Sequence, residues 1–154
     1  MSTDLTASLL RATLESTADG ILVITHDRHA PLYNRKFLQM WGIPEILMQE
    51  GFADQRLQFL GAQTVDPEAF VRRVWELFRD RPDETALELI EFKDGRVFER
   101  YSQPLKEGEQ ILGRVWSFRD VTERRRAEQI LRRQATAIKA SLDGIAILDQ
   151  NDTY

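Results

Sequence analysis

At Pro82 the hydrophobic rhythm of this chain changes from helical to alternating, which restricts its fold more than any other feature. Upstream, "VDPEAFVRRVWELFRD" carries Phe70, Val74, Leu77 and Phe78 as one helical stripe. Asp66 stands ready as its N-cap, Pro67 fills the first helical position, and Glu68 favours the positive end of the dipole. Downstream, "TALELIEF" and "RVFERYSQPL" alternate on either side of Lys93-Asp94-Gly95. Asp-Gly between alternating runs predicts a two-residue hairpin turn, with both central residues at positive φ. After the turn "KEGEQ", "ILGRVWSFRDV" predicts a third long strand that puts Leu112, Arg114, Trp116, Phe118 and Asp120 on one side.

The earlier half supplies the remaining elements. Leu5, Leu9, Leu10 and Leu14 repeat at helical spacing behind Ser2 and Thr3, predicting an amphipathic helix that ends near Asp19-Gly20. "GILVIT" is short and β-branched, so it reads as a buried strand; "HDRH" is a turn and "APLY" a second short strand. Asn34 can cap "NRKFLQMWG", whose Phe37, Met40 and Trp41 share a face and whose Gly42 supplies the stop. Helical turns follow in "IPEILMQEG", begun by Pro44, and "ADQRLQFLGAQ". Two short strands, a group of helices, three longer strands and a C-terminal helix make an α+β chain, with helices crossing one face of an antiparallel sheet.

Composition narrows the function. With 154 residues and 42% hydrophobic content the chain can bury a core without staples. It has no cysteine, so disulfides, thiolate metal sites and cysteine nucleophiles are excluded. No apolar run reaches the roughly 18 to 20 residues of a membrane span, and "MSTDLTAS" is no signal peptide. The expected location is cytoplasmic with no membrane contact, although a span elsewhere in a longer parent would tether it. The net charge of −4 conceals six basic residues against two acidic ones over Thr122 to Leu142. No aromatics interleave with those arginines, so the stretch reads as a solvated helix face and no nucleic-acid partner is expected. There is no phosphate-binding glycine loop and no nucleophile beside a base, so these residues are expected to be non-catalytic. His26 and His29 lie in a turn without a third ligand, and no metal site is expected.

At this point the chain resembles the PAS sensor domain family. "ADGILVITHDRHAPLYNRKFLQMWG" is similar to its first two strands and first helix; "DGRVFERYSQPL" and "GRVWSFRDVTERRRAE" are similar to its closing hairpin, last strand and exit. "RDVTER" resembles the Asp-Ile-Thr exit motif, with Val121 in place of Ile. The resemblance covers roughly Leu10 to Glu128 and implies a five-stranded antiparallel sheet whose first strand lies between the second and the last. It also implies a regulatory module that passes a signal through its C-terminal helix to an effector in the same chain. The effector expected is the histidine kinase of a two-component system, the alternative a cyclic-di-GMP synthase or phosphodiesterase. A small-molecule or flavin carrier is the alternative of another class.

"SLDGIAILDQNDTY" at the end repeats the order of properties in "TADGILVITHDRHA", 124 residues earlier, and resembles the opening of a second PAS domain. The expected organisation is an N-terminal helix over 1–16, a PAS-like domain over 17–121, a linker helix over 122–142 and a truncated second domain over 143–154. An isolated strand at Ile145 to Leu148 has no partner, so that tail is expected to be disordered, to extend the helix or to pair with another copy. In the exit helix Ala127, Leu131, Gln134 and Ile138 fall at the intervals of a coiled-coil seam, and a parallel homodimer is expected, against a surface helix packed on its own sheet. Asp120, Thr122 and Arg124 form the signal-exit motif, with Asp120 and Arg124 spaced for an ion pair and Thr122 placed to cap.

The candidate pocket residues are Trp41, Ile90, Phe92, Tyr101, Trp116 and Phe118. The resemblance places Phe118 where light-sensing members contact flavin. No cysteine stands in "YNRKFLQMWG" for a flavin adduct, and the long helix has no histidine for haem iron. The core is expected to be filled, without a cofactor, and a flavin or small aromatic metabolite is the lesser alternative. Tyr101 and Arg100 fall on opposite faces of their strand, and Arg100 is expected to point outward.

Overall fold

The structure, a computed structural model, describes residues 2–151, with side chains over 4–145. It comprises a sheet-containing unit ending at Asp120 and a helical unit beginning at Val121. In the first unit, helix α1 (Ser2–Ser16) leads into β1 (Gly20–Thr25), β2 (Leu32–Tyr33), α2 (Arg35–Trp41), a 3-10 turn (Glu45–Met48), α3 (Ala53–Ala62) and α4 (Pro67–Trp75). A π-helical segment (Glu76–Asp80) then precedes β3 (Ala86–Glu91), β4 (Val97–Glu107) and β5 (Gln110–Asp120). The strands form one antiparallel sheet in the order β2-β1-β5-β4-β3, so β1 lies between β2 and the last strand, as the resemblance implies.

Asn34 organises the N-terminal side. Its Oδ1 accepts the N–H groups of Phe37, at 3.0 Å, and Ile21, at 2.9 Å; its Nδ2 donates to Leu14 O, at 2.8 Å, and Asp19 O, at 2.9 Å. One buried side chain thus caps α2, fixes the start of β1 and holds the end of α1. Gly42 stops α2 at φ 60, with its N–H on Leu38 O. Trp41, the last residue of α2, is the hub of the core: its ring meets Phe70, Phe92, Phe98 and Phe118 at centroid distances of 5.9, 4.9, 5.6 and 5.3 Å.

Asp66 caps α4 by accepting from Ala69 N–H, at 3.1 Å, as the sequence indicates. The π-helical segment after it has no counterpart in the sequence reading. Arg81 N–H donates five residues back to Glu76 O, at 2.8 Å, but the next donor in that ladder is Pro82, which has no N–H. Arg114 supplies the missing donor. This fully buried side chain gives Nη1 to Leu77 O and Pro82 O, each at 3.2 Å, Nε to Ser102 Oγ at 2.6 Å, and Nη2 to Glu84 O.

The hairpin between β3 and β4 differs from expectation. Only Gly95, at φ 93, takes positive φ; Asp94 does not. Phe92 and Arg96 close a three-residue loop, with Gly95 N–H on Phe92 O and Phe92 N–H on Arg96 O. Asp94 is free to act through its side chain instead, accepting from Arg96 N–H at 3.0 Å and Arg96 Nε at 2.8 Å.

The second unit is a single 30-residue helix, α5 (Thr122–Asn151). It does not end at 142: residues 143–151 are helical, not an Asp-Gly turn and strand, and Gly144 lies within the helix. Helix extension was one of three outcomes open to a strand without partners; residues 152–154 lie outside those described.

Candidate functional site

A cavity of about 70 Å³ opens beside the core, between α3, α4 and the sheet. Leu22, Leu60, Phe70, Val74, Trp116 and Phe118 supply much of its apolar wall, and Arg28, Arg56 and Arg100 its cations; no carboxylate lines it. Three guanidinium groups around an apolar space are costly unless each finds acceptors. Two of them do.

Arg56 is buried and donates Nη1 to Leu47 O, at 3.0 Å, and Nη2 to Arg28 O, at 2.8 Å, tying α3 to the 3-10 turn and to the β1–β2 turn. Burial pushes its pKa down, and the charge of Arg28 adds to the effect. Arg28 is the one non-glycine residue with positive φ among the described residues, at φ 66. That strained position lets its carbonyl meet Arg56 while its N–H donates to Thr25 O, at 2.8 Å. Its guanidinium lies 4.7 Å from the Trp75 ring centroid and 2.8 Å from Asp54.

Arg100 is different. The structure corrects its expected outward orientation: it is 3% exposed, on the inner face of β4 with Phe98 and Ser102. Its Nη2 reaches Glu88 Oε1 at 3.3 Å, across the β3–β4 register. Glu88 is shared, because Arg73 Nε already donates to its two oxygens at 3.1 and 2.9 Å. Nε and Nη1 of Arg100 have no hydrogen-bond partner. Burial pushes its pKa down, with Glu88 opposing and Arg73 reinforcing the shift. The guanidinium stands between Trp116, at 5.3 Å, and Phe70, at 5.5 Å.

Of the candidate pocket residues, Trp116 and Phe118 line the cavity. Trp41, Ile90 and Phe92 are buried in the neighbouring core instead, where the Trp41 and Phe92 rings pack at 4.9 Å. Tyr101 is a correction: it is 40% exposed, because alternation from the inward Arg100 turns it to the outer face. Arg28 and Arg56 were not foreseen. A signal existed for Arg56, four residues before Leu60 and so on the same helical face.

His26 and His29 do not converge: His26 Nε2 donates to Ile111 O at 2.6 Å, whereas His29 pairs with Asp27 and Glu50 at 3.1 and 3.2 Å. Among the described residues no group of His, Asp and Glu is arranged to hold a metal ion. No helix there is long and apolar enough to cross a membrane.

In the helical unit, Thr122 is the first residue of α5 and is buried, while Asp120 ends β5 opposite Phe98. Arg124 Nε lies 4.0 Å from Glu128 Oε1, one turn on. Leu131 and Ile138 are exposed on the isolated chain, at 64% and 61%.

A family model of the PAS fold matches residues 14–129. The chain belongs to the PAS family, whose members serve as sensor domains. Among solved structures it is similar to the PAS domain of BvgS from Bordetella pertussis, with 17% identity, a TM-score of 0.56 and coverage of 86% of this chain and 98% of that one. It is also similar to an RNA-binding light-oxygen-voltage receptor, with 21% identity, a TM-score of 0.57 and coverage of 87% and 38%. The sensor region of a sensor histidine kinase matches with 18% identity, a TM-score of 0.52 and coverage of 69% and 40%. The chain thus spans less than half the length of the latter two. No curated protein matches it in sequence.

The cavity, at about 70 Å³, is below the roughly 300 Å³ at which pockets for drug-sized ligands begin.

Proposed function

We propose that this PAS sensor domain forms a parallel homodimer through α5 and passes its signal along that helix to an effector in the same chain, the histidine kinase of a two-component system. The observation that carries the reading is the unpartnered seam of α5. Ala127, Leu131, Gln134 and Ile138 keep the alternating spacing of a two-stranded coiled coil, and the continuous helix adds Ile145 seven residues after Ile138. Leu131, Ile138 and Ile145 are all more than half exposed, an arrangement that a partner helix would relieve. Gln134 weakens the seam, which suits a helix pair that must change register when signalling. The likeness to the sensor region of a histidine kinase supports the choice of effector. The 124-residue repeat supports a second PAS domain before that effector; its first strand would claim Ile145 from the helix and leave the seam at Ala127, Leu131, Gln134 and Ile138.

Analytical ultracentrifugation of the 154-residue chain tests the dimer. The unaltered chain is expected to sediment as a dimer at micromolar concentration, and Leu131→Glu with Ile138→Glu as a monomer of unchanged sheet signal by circular dichroism. A monomeric unaltered chain, or a dimer indifferent to both substitutions, removes the seam from the mechanism. For the effector, the coding sequence beyond Tyr154 decides: a cyclic-di-GMP domain there replaces the kinase.

A further inference from the structure

We propose that in the homodimer α1 of each copy lies across the outer face of the partner's sheet, with its leucines on the row formed by Leu87, Tyr101, Ser117 and Ile21. The contact rests on that homodimer and adds a second, reciprocal interface to it.

Two apolar surfaces of this chain have no cover. On α1, Leu5 and Leu9 are 70% and 65% exposed, and with Ala12 and Ser16 they make a stripe along one side of the helix. Leu14, nine residues from Leu5 and so on the opposite side, is the half-buried leucine. A 15-residue helix without a packed face is marginal in water, so the stripe calls for a partner. On the sheet, Leu87 pairs with Tyr101, Tyr101 with Ser117, and Ser117 with Ile21. That row lies on the face turned away from the core, and Leu87 is 61% exposed at its end.

Each surface fits the other. The row crosses four strands, about 14 Å at ordinary strand spacing, and the stripe from Leu5 to Ser16 runs about 17 Å along its helix. One flank of the stripe carries Asp4, Arg11 and Glu15, the other Thr6 and Thr13. The row on the sheet is bordered by Arg119 and Glu99 on one side and by Val115 and Gln103 on the other. One direction of α1 across the sheet therefore sets charged flank beside charged border, and hydroxyl flank beside the uncharged one. The chain's own α1 is held away from this position. Leu14 O accepts from Asn34 Nδ2 at 2.8 Å, Glu15 Oε1 accepts from Arg35 N–H at 3.0 Å, and only residues 17–19 separate α1 from β1. A second copy leaves those bonds intact. Two such contacts about a two-fold axis let each copy cover the other, the self-complementary form of a homodimer. Between chains already joined through α5 the contact needs no further association step, so it can be too weak to hold them alone.

The test uses the whole chain, whose lack of cysteine makes every introduced thiol unique. Leu9→Cys and Tyr101→Cys chains are mixed at micromolar concentration and treated with a short flexible bismaleimide. A mixed cross-linked dimer is expected from this pair, and none from Leu9→Cys with Lys36→Cys, an exposed position on α2. By sedimentation, Leu5→Glu with Leu9→Glu, and separately Leu87→Lys with Tyr101→Lys, are each expected to raise the dimer Kd about tenfold or more, with the sheet signal by circular dichroism unchanged. Absence of the mixed product, self-linking of Leu9→Cys as efficient as mixed linking, or a Kd indifferent to both pairs of substitutions would each overturn the contact. Ile138→Cys, oxidised on its own, reports the α5 seam. Its disulfide without the mixed product leaves the seam and removes this contact; the mixed product without that disulfide does the reverse.

Discussion

The Leu77 carbonyl takes its hydrogen bond from Arg114, on the central strand β5, in place of the backbone donor that Pro82 lacks. Arg114 thereby closes the end of the π-helical segment and clamps the loop before β3 to the sheet. Replacing it with methionine conserves much of the volume but strands several buried acceptors at about 1 to 3 kcal/mol each. Arg114→Met is therefore expected to lose roughly 3 kcal/mol or more in urea unfolding. A loss below about 1 kcal/mol would mean that water replaces the guanidinium.

Asn34 separates two roles that alanine would confuse. Asn34→Asp keeps the acceptor for Phe37 and Ile21 but loses the two donations to Leu14 O and Asp19 O. The cap on α2 should survive, while α1, whose Leu5 and Leu9 are largely exposed, should lose its anchor. Hydrogen exchange is expected to rise over residues 2–16 and to stay unchanged over Arg35–Trp41. Uniform loss of protection in both helices contradicts this division.

Much of this architecture is written in local chemistry. Asn34 with Gly42, and Asp66 with Pro67, mark helix ends through capping bonds formed within a few residues, so their positions follow from the sequence. Alternation along β5 likewise puts Arg114, Trp116 and Phe118 inward. The cavity was less legible because its cations depend on distant partners. Arg100 is inward because Phe98 and Ser102 share its face and Glu88 stands opposite, none of which a charged residue announces by itself. The π-helical segment similarly needs Arg114, which lies 37 residues beyond Leu77. In the β3–β4 loop, side-chain bonds from Arg96 to Asp94 favour a three-residue turn over the shorter form that Asp-Gly advertises.

That same loop gives a pH signature. Hydrogen bonding from Arg96 N–H, followed by the Arg96 guanidinium, holds the Asp94 carboxyl below its ordinary 3.8. A depressed carboxylate contributes stability above the unfolded value, near 3.9, and loses it as pH falls through the folded value. The stability difference between the unaltered chain and Asp94→Asn should be constant above about pH 5 and shrink below about pH 4. Asp94 is largely solvent-exposed, so solvent screens the effect and the change in slope, followed by urea midpoints, is the better measure. A difference that persists undiminished at pH 2 would assign the contribution to loop geometry alone.

Gly113 marks the closest approach of two central strands. It pairs with Thr25 of β1 on one side and Leu105 of β4 on the other, beside a register shift at Leu105 and Lys106. A Cβ there would overlap the Ile24 carbonyl oxygen and come within 2.7 Å of Thr25 Cα, both backbone atoms that cannot rotate away. Gly113→Ala must therefore part β1 from β5 near the turn that holds Arg28 at the cavity. It is expected to cost roughly 1 to 3 kcal/mol, as overpacking in a core does. It should also weaken any response that depends on Arg28 and Arg56, since Arg56 is held through the Arg28 carbonyl. Gly108→Asn, in the open β4–β5 turn at φ 62, is the control: nothing lies within 4 Å of its Cβ and asparagine tolerates that backbone. A melting temperature that falls equally in the two variants would show that steric closeness at Gly113 is not what sets the spacing of these strands.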